Sequence, residues 1–173
     1  LCDEKMRDNA RQLGEDPDQL PSTYSTLIND CINNRHEDLV VCIHLCRGNA
    51  KSRWFASGGY EPVAETLFNL LNVDGFFLEY DDERSGSFEP LRFVPKGSKK
   101  IILGLVTTKT GTLESKDEIK RRIEDASKYV DIEQLCLSPQ CGFSSNAIGN
   151  LITVDDQKAK LGLIADVVQE IWN

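Results

Sequence analysis

The amino-acid sequence predicts an α/β fold: four β/α units forming the C-terminal half of a (β/α)8 TIM barrel. Three observations carry this expectation. Four short, near-continuous apolar runs are spaced along the 173 residues, the pattern of parallel strands covered on both faces. Amphipathic helical stretches separate the runs, and another precedes the first. No G-x-G-x-x-G or Walker motif follows the first run, which argues against an open doubly wound sheet built to hold a nucleotide. A complete barrel needs twice as many strands and on the order of 250 residues. The chain opens at Leu1-Cys2-Asp3 and its only methionine is Met6, as expected of a processed or truncated protein.

The elements follow in order. Pro17 to Asn34 places Leu20, Tyr24, Leu27 and Cys31 at helical spacings of three and four. Leu39 to Leu45 is the first strand. Pro62 to Leu71 is a helix carrying Val63, Leu67 and Leu70, and Gly75 to Tyr80 is the second strand. Lys100 to Val106 is the third. The helix from Lys116 to Tyr129 starts behind Ser115, whose partner Glu118 fits a capping box, and buries Ile119, Ile123 and Ala126. Gln134 to Ser138 is the fourth strand. The last helix, Asp155 to Trp172, starts from Thr153 and repeats Leu161, Ile164, Ala165, Val168 and Trp172. An opening helix and then four strands alternating with helices gives a parallel sheet with right-handed crossovers. Such a half leaves both edge strands unpaired. It therefore needs the missing N-terminal half, or self-association.

Composition narrows the function. A 40% hydrophobic content suits an ordinary globular core, and a formal charge of −8 argues against nucleic acid or an anionic membrane as partner. No run approaches a membrane span, and no signal peptide is visible. Lys99-Lys100 and Lys120-Arg121-Arg122 fit a sheet approach and a solvated helix face. The six cysteines, at 2, 31, 42, 46, 136 and 141, form no compact disulfide framework. Cys42 and Cys136 sit in apolar runs as buried free thiols would, so a reduced, cytoplasmic setting is expected.

Chemistry in a barrel sits at the C-terminal ends of the strands. Those ends carry His44 and Cys46, then Glu79, then Thr107 to Thr110, then Cys141. In a strand, residues two apart share a face, so His44 and Cys46 project side by side. Each residue taken singly has a plainer explanation: a core thiol, a satisfied imidazole, or a carboxylate of the acidic loop with Asp81, Asp82 and Glu83. Together, at the same end of one sheet, they make a tetrahedral Zn²⁺ set with nitrogen, sulfur and oxygen donors. Two thiolates disfavour magnesium and calcium. Thiolate-rich zinc suits the activation of a substrate thiol rather than of water, and Glu79 is the ligand most readily exchanged.

The motifs His-Leu-Cys-Arg-Gly-Asn, Phe-Leu-Glu-Tyr-Asp, Leu-Gly-Leu-Val-Thr-Thr-Lys-Thr and Leu-Ser-Pro-Gln-Cys-Gly-Phe resemble the C-terminal catalytic barrel of cobalamin-independent methionine synthases. The chain is most similar to the shorter, single-barrel bacterial relatives, from about Leu1 to Trp172. The resemblance implies a zinc ion held by His44, Cys46, Glu79 and Cys141. It also implies methyl transfer from 5-methyltetrahydrofolate, usually polyglutamylated, to the zinc-bound sulfur of homocysteine.

Two departures stand out. Where the family has a proton-delivering histidine, this chain has Lys109, followed by Thr110; Lys109 could donate that proton if its pKa were lowered, or be an exposed structural lysine. The segment Arg47-Gly48-Asn49 and Ser52 to Tyr60 make a longer excursion after the first strand; Arg47 or Arg53 there could contact a substrate anion, or the loop could simply pack over the barrel. Both leave room for another donor, such as a corrinoid methyl group. Because the family's substrate contacts come largely from the first half of the barrel, the fragment alone is expected to hold zinc weakly and to turn over little. A silent fragment whose cysteines are only core is the non-enzyme alternative.

Overall fold

The computed structural model describes residues 1–172. The elements run α1 (Glu4–Gln12), α2 (Leu20–Ile32), β1 (Cys42–Leu45), α3 (Glu61–Leu70), β2 (Gly75–Glu79), β3 (Lys100–Val106), α4 (Lys116–Ser127), β4 (Leu135–Pro139) and α5 (Val154–Trp172), with short 3₁₀ turns between some of them. The strands form one parallel sheet in the order β1-β2-β3-β4. That order matters. Sequential strands joined by right-handed crossovers put every connecting helix on the same face, whereas a doubly wound sheet reverses its order and is covered on both.

The two faces accordingly differ. Phe76, Leu78, Ile101, Leu103, Leu105 and Leu135 form the helix-covered core, together with Ala64 and Phe68 of α3, Ile119 and Ile123 of α4 and Val167 of α5. On the other face Cys42 and His44 are exposed, and Phe77 is 37% exposed. This corrects the expectation that all four strands are buried on both sides and that Cys42 is a core thiol: Cys42 points to the face no connecting helix crosses. Cys136, on the same face, is half-buried. All six cysteines are free thiols.

Helix faces also shift. On α2 the covered row is Pro21, Ser25, Ile28 and Ile32, packed toward α3, while Tyr24 and Leu27 of the predicted stripe are exposed. On α5 the buried row is Lys160, Leu163 and Val167; Leu161 and Ala165 face outward. Lys160 is buried because its ammonium bonds both Glu114 carboxylate oxygens, at 2.8 and 3.0 Å. Glu114 in turn accepts the Thr107 N–H at 2.9 Å, fixing the exit from β3. Helix α1 was not foreseen. It is polar on most sides and starts from Asp3, which accepts the Met6 N–H and holds Ser57 of the loop after β1.

The caps are resolved differently at the two predicted helix starts. Ser115 Oγ accepts the Glu118 N–H at a long 3.5 Å, but the Glu118 carboxylate turns to Arg121 instead of completing the box. Thr153 and Asp156 do form a reciprocal pair, each accepting the other's backbone N–H. At the opposite end of the sheet Asp74 stitches the strand entries. Its carboxylate accepts the Val41 N–H at 2.7 Å and bonds Arg35, and its carbonyl accepts the Lys100 N–H at 2.9 Å.

Candidate metal centre

His44 lies in β1, Cys46 one residue past its end, and Cys141 two residues past β4. β1 and β4 are opposite edges of the sheet, so in a flat sheet their ends would stand about 14 Å apart, three strand spacings. Yet the ligand atoms of His44, Cys46 and Cys141 all lie within 4.8 Å of one another. The sheet curls, and side chains reaching inward from the two edges meet. They share a cleft of 540 Å³ with Asn49, Phe77 and Ser145.

The donor geometry suits a tetrahedral ion. Zinc–sulfur and zinc–nitrogen bonds of about 2.3 and 2.0 Å put neighbouring donors about 3.5–3.8 Å apart, and Cys141 Sγ is 3.4 Å from His44 Nε2. The three groups are linked by hydrogen bonds. Hydrogen bonds from Cys141 and His44 bring the Cys46 thiol down to about 4, so Cys46 is the thiolate of the group. Donating to Cys46, together with burial, pushes the Cys141 thiol up. The Cys46 hydrogen bond and the nearby Cys46 and Glu79 charges outweigh burial and raise the His44 imidazole.

Glu79, the last residue of β2, is fully buried and stands outside this three-residue group. Its carboxylate accepts the Arg47 N–H at 2.5 Å and faces Lys109 Nζ at 3.3 Å and Arg84 at 3.5 Å. Lys109 is buried too, at 9% exposure, and donates to Asp81 at 2.9 Å. The reading of Lys109 as an exposed surface lysine is therefore excluded: it is the cation of a buried carboxylate pair. Trp54 lies under the Arg84 guanidinium at 4.6 Å, closing the loop side of this cluster.

The two arginines raised as anion contacts part company. Arg47 is 4% exposed; its guanidinium donates to the Gly58 and Glu79 carbonyls and to the Tyr60 hydroxyl, and stacks on the Tyr60 ring. A guanidinium so occupied has no fork left for a substrate. Arg53 is exposed and makes no ion pair among the described residues. The excursion carrying both folds back on itself: Phe55 and Ala56 N–H groups donate to the Arg47 carbonyl, and Gly48, at φ 96°, gives way to the Phe55 ring. Sequence reasoning gave no role to Asn49, Thr108 and Gln140, which run as a buried hydrogen-bonded row to Cys141.

The family model for the catalytic domain of cobalamin-independent synthases matches residues 25–159. The chain belongs to that family. The protein YxjH of Bacillus subtilis is 51% identical over 170 residues, covering 98% of this chain and 45% of its own length. A putative vitamin-B12-independent methionine synthase from Listeria monocytogenes is similar in structure, with a TM-score of 0.70 and 43% identity over 92% of this chain and 43% of that one. A B12-independent methionine synthase from Shewanella sp. W3-18-1, solved with selenomethionine, shares the fold at a TM-score of 0.69 and 21% identity, over 89% of this chain and 44% of that one. The chain thus spans about half the length of the relatives it matches. Among the described residues no helix is long and apolar enough to cross a membrane.

Proposed function

We propose that this chain is the metal-holding half of a zinc-dependent methyltransferase that moves a methyl group from 5-methyltetrahydrofolate to the thiol of homocysteine. The observation that carries the reading is the convergence of His44, Cys46 and Cys141 from opposite edges of one sheet. Two sulfurs and an imidazole select a soft dication over magnesium or calcium. Bound zinc there supplies the acidity that keeps a substrate thiol in its nucleophilic thiolate form near neutral pH.

The chain's own groups divide the remaining work. Cys46 and Cys141 contribute negative charge, and His44 a neutral donor once its proton has left. Glu79 is the fourth ligand of this reading and the exchangeable one, because Arg47 N–H, Lys109 and Arg84 offer its carboxylate an alternative set of partners. Lys109 steadies Glu79 and Asp81. Arg53 is the contact left for an anionic group of either substrate.

The open sheet face, the two free edges and the doubled length of the relatives fit the other half of a (β/α)8 barrel. Tyr24, Ile28, Ile43 and Leu45 line an apolar cavity of 220 Å³ on the β1 side that such a half would cover. It would also bring most substrate contacts. Zinc content and methyl transfer to homocysteine, measured on the intact protein and its Cys46→Ser and Cys141→Ser variants, test the reading. Zinc and activity should fall together in both variants. Full activity in either variant would overturn it. The 173-residue chain alone should show little or no turnover.

A further inference from the structure

We infer that Gln140 is a positioning residue for Cys141, holding an amide N–H against its sulfur through a one-directional chain of hydrogen bonds from Asn49 and Thr108. The inference rests on the metal reading above. The direction follows from donor and acceptor chemistry. The Gly142 carbonyl can only accept, and the end of the Asn49 side chain 3.5 Å from it is therefore the NH₂. The same NH₂ donates to Thr108 Oγ1 at 2.8 Å. A hydroxyl carries one hydrogen, and the partner placed to take that of Thr108 is Gln140 Oε1, at 2.8 Å. The amide end left to Gln140 is its NH₂, and this stands 2.9 Å from Cys141 Sγ.

The row itself is shielded from water: Thr108 is 0% exposed, Gln140 1% and Asn49 6%. The backbone is fixed as well: Gln140 N–H donates to the Val106 carbonyl at 2.8 Å, and the Thr108 carbonyl accepts from Asn150 at 3.0 Å. An N–H held against sulfur favours the thiolate and withdraws some of the charge that the sulfur would give a metal. Gln140 is not one of the three donors. Its effect passes through Cys141.

The test uses the intact protein loaded with zinc or with cobalt(II), and the variants Gln140→Met, Thr108→Val and Thr108→Ser. Gln140→Met removes the N–H at nearly constant volume. It should weaken zinc binding about 10–100-fold in chelator competition, the usual effect of losing an outer partner. It should also move the sulfur-to-cobalt charge-transfer band to lower energy, a change that mere loosening of the fold does not produce. Thr108→Val, which frees the Gln140 amide, should follow it, and Thr108→Ser should retain wild-type behaviour. If Gln140→Met does not fold, the Val and Ser variants at 108 decide the matter alone. Wild-type affinity and band in the folded Met and Val variants overturn the role of Gln140 while leaving the metal site standing. A wild-type protein that takes up neither ion overturns the metal reading, and this inference with it.

Discussion

Gly104 of β3 lies so close to Gln140 that a Cβ built on it would stand 2.8 Å from the Gln140 Cα. The Leu78 carbonyl lies equally near, at 2.8 Å. Both obstacles are backbone and neither can rotate away. Gly104 also pairs in register with Glu79 and Ser138, so it lies in the floor from which the candidate centre rises.

Gly104→Ala should therefore destabilise the protein by about 1–3 kcal/mol, the range for overpacking a filled site, measured as a shift in urea midpoint. It should also weaken zinc uptake, because the backbone that must move, just past β4, is that of Gln140 and leads into Cys141. Unchanged stability would mean that the β3–β4 contact is looser than described.

Arg47→Ala and Arg53→Ala separate a structural from a ligand-facing arginine. Removing the buried Arg47 guanidinium leaves the Gly58 carbonyl without its donor and the Glu79 carbonyl with only the Tyr60 hydroxyl, and should cost roughly 2–4 kcal/mol. Arg53→Ala should change stability by less than about 0.5 kcal/mol and raise KM for an anionic substrate instead. Thermal unfolding and steady-state kinetics check the pair.

Asp74 sets an acid dependence at the other end of the sheet. The Arg35 guanidinium, followed by the Val41 N–H, holds its carboxyl below the ordinary range. A carboxyl lowered by folding stabilises fully above its unfolded value and loses that contribution as pH falls through the folded one. Since the Asp74 side chain is 40% exposed, solvent screening limits Asp74→Asn to about 1 kcal/mol at neutral pH. The wild-type advantage should vanish in strong acid. Chemical denaturation at several pH values measures this.

Much of the fold is written in local pattern. The apolar runs at Gly75–Glu79 and Lys100–Val106 have no other good reading, and the C-terminal ends of β1, β2 and β4 place His44, Cys46, Glu79 and Cys141 on one rim. What could not be read depends on distant neighbours. Nothing local says that Tyr24 and Leu27 face outward, because the choice of covered row on α2 is made by α3. Helix α1 has little apolar signal and is held by Asp3 and by the buried Arg7, which bonds the Leu1 carbonyl. Glu79 meets Lys109, and Gln140 meets Thr108, across 30 and 32 residues of chain. Glutamine before a cysteine announces nothing until the hydroxyl orienting its amide is in view.

Proton release on metal uptake follows from the charge states of the three donors. Cys46 is already a thiolate at neutral pH, whereas Cys141 and His44 are both raised and must give up protons to bind. Zinc affinity should therefore rise with pH. The slope should be about two protons per ion while His44 is protonated and about one above its titration. Chelator competition between pH 5 and 8.5, together with proton release in weakly buffered solution, gives both numbers. A flat profile would show that the raised groups are not the ligands.

The most direct measurement is X-ray absorption at the zinc edge of the intact, zinc-loaded protein. The predicted shell has two sulfurs at about 2.3 Å and two nitrogen or oxygen donors at about 2.0–2.1 Å, one sulfur being lost in Cys141→Ser. A shell of nitrogen and oxygen alone, or a spectrum unchanged by Cys141→Ser, would contradict a centre built from His44, Cys46 and Cys141.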